Sequence, residues 1–317
     1  MKTLGLLFPN SLVGREVRER LAERSDLCRE LRLLTVDDEE VGAIAEFRGA
    51  AMIQRLEKES LNGVDVLVVA GWSPEVPAIV STRPAGCRAV LMSPPDDQGG
   101  LHVVDSINLD EAAGAELAVS PHPAAVHLAL VAAPLVPAGL EELSATVLQP
   151  VSMLASAALE ELLEQARDLL SFRNVQATLS LPSQAAFNLF PTAQQPDLLQ
   201  PTFRQLWPHT PSLRARIVQA GVFHCLSASI ELRFATPVAP DAIREALESH
   251  PHVTCWEDED EPLSPVRGAS FDDVLVSQLN PCPGRPEVLW AWTVMDNLTR
   301  GGAINALAIA EQMGKVN

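Results

Sequence analysis

The stretch from Glu116 to Pro137, ELAVSPHPAAVHLALVAAPLVP, limits the possible folds more than any other part of the chain. A β-type run stops at Pro121-His122-Pro123 and restarts as an apolar helix. Leu117 and Val119 suit a short buried strand, Pro121 and Pro123 forbid helix before them, and Ala125, Leu128, Ala129 and Ala132 recur at helical spacing. Strand, loop and helix in this order form the repeating unit of an α/β protein. A helix that starts just past a strand end offers free backbone N–H groups and a partial positive charge, which stabilise an anion or a thiolate. The loop holds Ser120, His122 and Pro123, and no cysteine lies between Cys87 and Cys225. The corner therefore reads as a site whose reacting group is missing.

Size and charge narrow the classes further. A chain of 317 residues with 47% hydrophobic content buries one large core or two of ordinary size. Forty-one acidic against twenty-three basic residues give a formal charge of −18, which repels phosphate backbones and anionic lipid surfaces, so neither a nucleic-acid nor a membrane partner is expected. The opening MKTLGLLFPNSLVGREVRERL passes at once into a charged helix, so no signal peptide or membrane span is expected and the location is expected to be cytoplasmic. Five cysteines, odd in number and never spaced C-x-x-C, suggest reduced thiols rather than a disulfide frame or a zinc site. His250, His252, Cys255 and the acids from Glu257 to Glu261 fit no tight ligand spacing, and no metal site is assigned.

The N-terminal half reads as a nucleotide-binding-like βαβ unit. Leu4 to Leu7 is a buried strand, and a helix follows from about Leu12 to Arg24 with Val13, Val17 and Leu21 inward. In a glycine fingerprint the first two glycines allow a tight turn against a phosphate and the third allows close helix packing. Here the candidate cofactor-binding turn is Asn10, Ser11, Val13 and Gly14, of which only Gly14 fits, at the third position. Phe8 and Ser11 stand at the first and second, so dinucleotide affinity should suffer. Asp37-Asp38-Glu39-Glu40 follows the second strand and serves either as a ribose grip or as a solvated loop. Leu61 to Ala70 and Arg88 to Met92 read as further parallel strands, the second followed by acids near Asp97. The C-terminal half is α+β in texture. Leu143 to Leu148 is β-like, Ser156 to Leu170 an amphipathic helix, and Ile217 to Phe223 and Ser229 to Phe234 read as antiparallel strands.

The end of the chain carries a resemblance. WTVMDNLTRGGAINALAIAEQM is similar to the closing segment of the aspartate-semialdehyde dehydrogenase family, D-N-L/V-x-x-G-A-A-x-N-A-x-x-I-A-E. LNGVDVLVVAG at 61–71, Gln149-Pro150-Val151-Ser152 with the following ALEELLEQ, AFNLFP at 186–191 and IVQAGVF at 217–223 fall in the same order. The resemblance spans nearly the whole chain and looks nearest to the family's non-catalytic, Usg-type paralogues. It implies an α/β fold with a Rossmann-type nucleotide-binding-like domain over 1–122, completed by a C-terminal helix at 299–317, and an α+β dimerisation domain over 123–298. It also implies a homodimer, formed through the sheet of the second domain, and NADP as the family cofactor.

The family's chemistry carries over mainly as losses. Its nucleophilic cysteine, in N-P-N-C-S/T, matches Pro123 in Ser120-Pro121-His122-Pro123-Ala124. Its carboxylate-binding Arg and its acid/base His match Gln219 and Leu226. Leu cannot transfer a proton, and Gln lacks the charged fork that grips a carboxylate. Gln149 alone persists, and the family's substrate-binding Glu has no counterpart. These degenerate positions imply a family member without catalysis, with an unidentified protein or small-molecule partner. The competing reading is an NAD(P)-dependent oxidoreductase acting on an aldehyde or acyl phosphate with relocated residues. That reading would use Cys225 or Cys87 as thiolate and His224 or His122 as base, with His224 on the same strand face as Leu226.

Overall fold

The structure is a computed structural model that describes all residues except 25, 97, 176–177, 193–197, 258–260, 270 and 316–317. The chain divides into two compact units, Met1–His122 with Gly302–Asn317, and Pro123–Gly301.

The first unit is built on a sheet whose described strands are β1 (Thr3–Leu7), β2 (Glu30–Thr35), β5 (Gln54–Arg55), β6 (Val66–Val69), β7 (Arg88–Met92), β8 (Leu101–His102) and β9 (Leu117–Ser120). They lie in the order β5-β2-β1-β6-β7-β9-β8 and every neighbouring pair is parallel. β1, β6 and β7 are buried along their whole length, as strands covered on both faces must be. Helix α1 (Leu12–Glu23) buries Val17 and Leu21 on one face, and helix α8 (Asn305–Gly314) covers the same core with Ala306, Ile309, Ala310 and Met313. Helix α2 (Val76–Thr82) puts Val76 and Val80 on the other core with Leu67, Val69 and Leu91. A short hairpin of β3 (Ile44–Glu46) and β4 (Ala50–Met52) follows β2. The apolar run expected over Leu61 to Ala70 is a strand only from Val66. Lys58–Leu61 is a 3₁₀ turn, and Gly63 takes a positive φ of 75° that turns the chain into β6.

The second unit holds a mixed sheet of β10 (Leu140–Gln149), β11 (Leu189–Pro191), β12 (Ser212–Ala220), β13 (Leu226–Phe234), β14 (Val253–Cys255), β15 (Val274–Cys282) and β16 (Arg285–Met295). Its order is β11-β12-β10-β13-β16-β15-β14. The two strands expected as antiparallel, at 217–223 and 229–234, do run in opposite directions, but they are not neighbours. β12 ends at Ala220 and pairs in parallel with β10, while β13 pairs antiparallel with the other side of β10. A helical crossover, with α4 (Ser156–Leu170) and α5 (Gln200–Leu206), joins β10 to β12, as a parallel pair requires. β12 alternates exposed Ser212, Arg214 and Arg216 with buried Leu213, Ala215 and Ile217. The buried set faces α5, while α3 (Pro123–Ala132) packs on β10, β15 and α5, and α6 (Pro240–Glu248) on β14 and β15. A short helix, α7 (Pro265–Gly268), precedes β15. α3 is buried at every position, so its apolar sequence has no wet face to pattern. A π-helical turn at Thr299–Ile304 leads into α8.

Candidate functional site

In the first unit, the fingerprint turn keeps a glycine-type backbone without the glycines. Phe8 has a positive φ of 64°, a conformation that costs a residue with a Cβ about 1–2 kcal/mol. Its ring lies on Gly71, where an added Cβ would meet the ring at 3.0 Å. Gly14 is held to glycine by the close approach of the Phe8 carbonyl oxygen, 2.2 Å from where a Cβ would stand. Ser11 caps α1: its Oγ accepts from the Gly14 N–H at 3.0 Å and donates to the Ala70 carbonyl at 2.6 Å. The space that a cofactor's phosphates need beside this turn thus holds the Phe8 ring and the Ser11 hydroxyl, and the residues present do not fit a dinucleotide there. Val13 packs half-buried on the core. The Asn10 Nδ2 donates to Glu40 at 3.1 Å, and the Thr35 hydroxyl donates to the other Glu40 oxygen at 2.9 Å. Asp38 pairs with Arg55, and Asp37 accepts from the Glu39 N–H. Much of the acid run is therefore engaged within the fold. Asp97 lies outside the described residues.

The corner at β9 forms as the prolines dictate. β9 ends at Ser120, and Pro123 is the first residue of α3, where a missing N–H costs nothing. Ser120 is buried and receives a 2.9 Å hydrogen bond from Asn305 Nδ2, whose Oδ1 accepts from the Asp105 N–H at 2.7 Å. His122 is buried, and burial pushes its pKa down to about 4, so it is neutral at ordinary pH.

In the second unit, Gln149 and Gln219 stand opposite each other on β10 and β12 and are fully buried. Gln149 Nε2 donates to Gln219 Oε1 at 3.1 Å, and Gln219 Nε2 donates to the Gln149 and Ala220 carbonyls. Gln149 Oε1 is buried without a hydrogen bond. The pair is neutral and mutually satisfied on one side, so it has no charge to offer a carboxylate. Leu226 opens β13 and is fully buried beside Met295. His224 lies in the loop before β13, so the expectation that it shares a strand face with Leu226 does not hold; the strand starts two residues later. Cys225, at φ 70°, is fully buried among Leu263, Leu275 and Val294, and burial, with the charge of Asp296 behind it, pushes its thiol up to about 12. Cys87, in the first unit, is pushed up to about 11, also by burial. A thiol so shifted carries almost no thiolate near neutral pH.

Two residues that sequence reasoning passed over organise this loop. Asn297, fully buried, accepts from the Cys225 N–H at 3.1 Å and donates through Nδ2 to Ser152 Oγ at 3.1 Å. The signal was the Asp-Asn pair of the closing segment. His127 is the second. It sits in α3 with both ring nitrogens buried and without hydrogen bonds, and burial lowers its pKa to about 3. A lone histidine among Ala, Val and Leu was its only mark in the sequence. Around His250 and His252, the rings meet edge to face at 6.0 Å and His252 faces Asp273 at 3.9 Å. Of the acid run beside them, residues 258–260 lie outside the described residues. Among the described residues, no three His, Cys, Asp or Glu side chains converge as a metal site would need.

A parallel Rossmann-like unit followed by a mixed-sheet unit, with the corner at 120–124 between them in sequence, is the two-domain plan of the semialdehyde dehydrogenase fold. The chain belongs to the semialdehyde dehydrogenase family: the family's dimerisation domain matches residues 132–300. It is 28% identical over 331 residues to the aspartate-semialdehyde dehydrogenase of Synechocystis, covering 97% of this chain and 96% of that one. It is also 28% identical over 333 residues to a USG-1 protein homolog of Azotobacter vinelandii, covering 98% and 97%. Among solved structures, aspartate semialdehyde dehydrogenase II of Vibrio cholerae shares the fold with a TM-score of 0.89 at 20% identity, over 99% of this chain and 98% of that one.

Proposed function

We propose that this protein is a non-catalytic, homodimeric member of its family that acts in the cytoplasm by binding or assembly. The observation that carries the reading is Pro123: the residue at the family's nucleophile position has no atom that can attack a carbonyl. The surroundings agree with it. Gln219 has replaced a charged clamp, Leu226 has replaced a base, and the thiols of Cys225 and Cys87 are buried and held protonated. Phe8 fills the phosphate turn. Among the described residues no helix is long and apolar enough to cross a membrane.

The test is to restore what is missing, one group at a time. Pro123→Cys, offered aspartate semialdehyde, phosphate and NADP, gives no turnover above the unaltered protein. A thiol without its base and clamp lacks positioning, and losses within such a unit do not add. Aldehyde oxidation by this single variant, or a cysteine of the unaltered chain that alkylates rapidly at neutral pH, would overturn the proposal.

A further inference from the structure

The strand order β5-β2-β1-β6-β7-β9-β8 divides the first unit's sheet between β1 and β6. From β1 the chain runs outward through β2 and β5 on one side, and it then builds β6, β7, β9 and β8 on the other. In an open parallel sheet the connections that part at such a point leave a crevice outside the carboxyl ends of the strands, and ligands enter there. Here the crevice lies between Phe8, next after β1, and Gly71, just past β6. The two strands stay paired to their ends, with the Ala70 N–H donating to the Leu7 carbonyl at 3.0 Å. Beyond that last rung the Phe8 ring lies so close to Gly71 that a Cβ there would meet it at 3.0 Å. The ring is half-buried at the margin of the core under α2, and Trp72 shares that margin. The polar groups of the turn are drawn inward too. The Ser11 N–H donates to the Phe8 carbonyl at 3.2 Å, and the Ser11 hydroxyl ties the turn to β6 through Ala70. Glu40 is held between Asn10 and Thr35, at the end of β2, with the exposed Asp37, Asp38 and Glu39 beside it in sequence. Arginines that could offset this charge have partners of their own: Arg15 donates to the Asn10 carbonyl, Arg18 to the Pro9 and Glu46 carbonyls, and Arg55 pairs with Asp38.

We infer that Phe8 is a built-in plug of this crevice, a side chain of the chain's own lying where a dinucleotide's phosphates would pass, and that Glu40 behind it selects NAD over NADP once the plug is removed. The inference rests on the non-catalytic reading above and deepens it, since it names the ligand class that the first unit refuses and the residue that refuses it. The obstruction is one side chain thick. A glycine at position 8 would keep the left-handed turn, at φ 64°, and leave the space open. Ser11 need not change, because a hydroxyl can rotate to donate to a phosphate oxygen and an aromatic ring cannot. Selectivity follows from charge. A carboxylate at the end of the second strand accepts a hydrogen bond from a ribose 2′-hydroxyl and repels a 2′-phosphate.

The test titrates NADH and NADPH, followed by their own fluorescence, into the unaltered protein and into Phe8→Gly, with circular dichroism to show that the variant is folded. The unaltered chain should not saturate with either dinucleotide up to about 1 mM. Phe8→Gly should bind NADH with a dissociation constant lower by roughly ten-fold or more, and NADPH more weakly than NADH by a similar factor. Phe8→Ala also lacks the ring and carries the same titration if Phe8→Gly misfolds. Micromolar binding of either dinucleotide by the unaltered chain, or a folded ringless variant with no gain, overturns the plug. A ringless variant that binds the two equally, or prefers NADPH, overturns the role of Glu40. Neither failure touches the non-catalytic reading, which falls instead to turnover by Pro123→Cys.

Discussion

Phe8 holds a backbone conformation that glycine adopts without strain. The backbone still takes the left-handed conformation, φ 64°, and the ring that causes the strain also fills the space beside Gly71. Two variants separate these effects. Phe8→Ala loses the half-buried ring and keeps the strain, whereas Phe8→Gly loses the ring and releases about 1 kcal/mol or more of left-handed cost. Urea unfolding should therefore find Phe8→Gly the more stable of the two by about 1 kcal/mol, the reverse of the order at a strand or helix position. His127 presents a second case. Its folded pKa of about 3 lies below the ordinary 6.5 of an unfolded histidine, so the stability linked to its neutral form is complete above pH 6.5. That stability is lost as pH falls from 6.5 toward 3, and His122, lowered to about 4, acts in the same direction. His127→Leu removes two buried nitrogens without hydrogen bonds. It should raise stability at pH 7 by about 1–3 kcal/mol and flatten the loss between pH 6 and 4, measured by denaturant titration at each pH.

At the scale of elements, the second unit holds its sheet ends together through loops rather than through helices. The segment after β10 is tied to the loop before β13: Val151 and Ser152 donate backbone N–H groups to the Val222 and Phe223 carbonyls at 2.9 and 3.0 Å. Asn297, just past β16, closes the same junction through Cys225 and Ser152. Asn297→Ala would leave the buried Cys225 N–H without an acceptor, at a cost of about 2–3 kcal/mol once the lost Ser152 bond is included. Thermal unfolding should show the drop, and Cys225 should become more reactive to alkylating reagents as the loop loosens. A variant of unaltered stability would mean that the loop is held by its backbone bonds alone.

At the scale of the whole molecule, the second unit leaves part of one sheet face open, bearing the half-exposed Trp290 and, nearer the strand ends, the exposed Phe187 and Leu189. A soluble chain rarely leaves such a surface bare. The proposed homodimer should give twice 34.1 kDa by light scattering at micromolar concentration, and the mass should persist at moderate salt, because apolar contact area is not screened by salt.

Local chemistry determined much of this from the sequence alone. The prolines at 121 and 123 stop β9 and start α3 whatever surrounds them, because a ring with no N–H and a fixed φ leaves the backbone no other choice. Pro123, Gln219 and Leu226 cannot act as nucleophile, charged clamp and base in any fold, so the proposed absence of catalysis rests on their identities and on the family resemblance that aligns them. Alternation along 229–234 likewise marked a half-covered strand, whereas the strand expected over 217–223 runs from Ser212 to Ala220. Pairing was another matter. Nothing in the two runs said that β10 would lie between β12 and β13, since both orders bury the same alternate residues and only the crossover through α4 and α5 selects one. The same held for the state of the side chains. That Cys225 is a protonated core thiol, that Glu40 turns in to Thr35 and Asn10, and that His127 is buried without hydrogen bonds depend on what packs against each from elsewhere in the chain. Burial and partnership are properties of the assembled layers, and only the tertiary structure decides them.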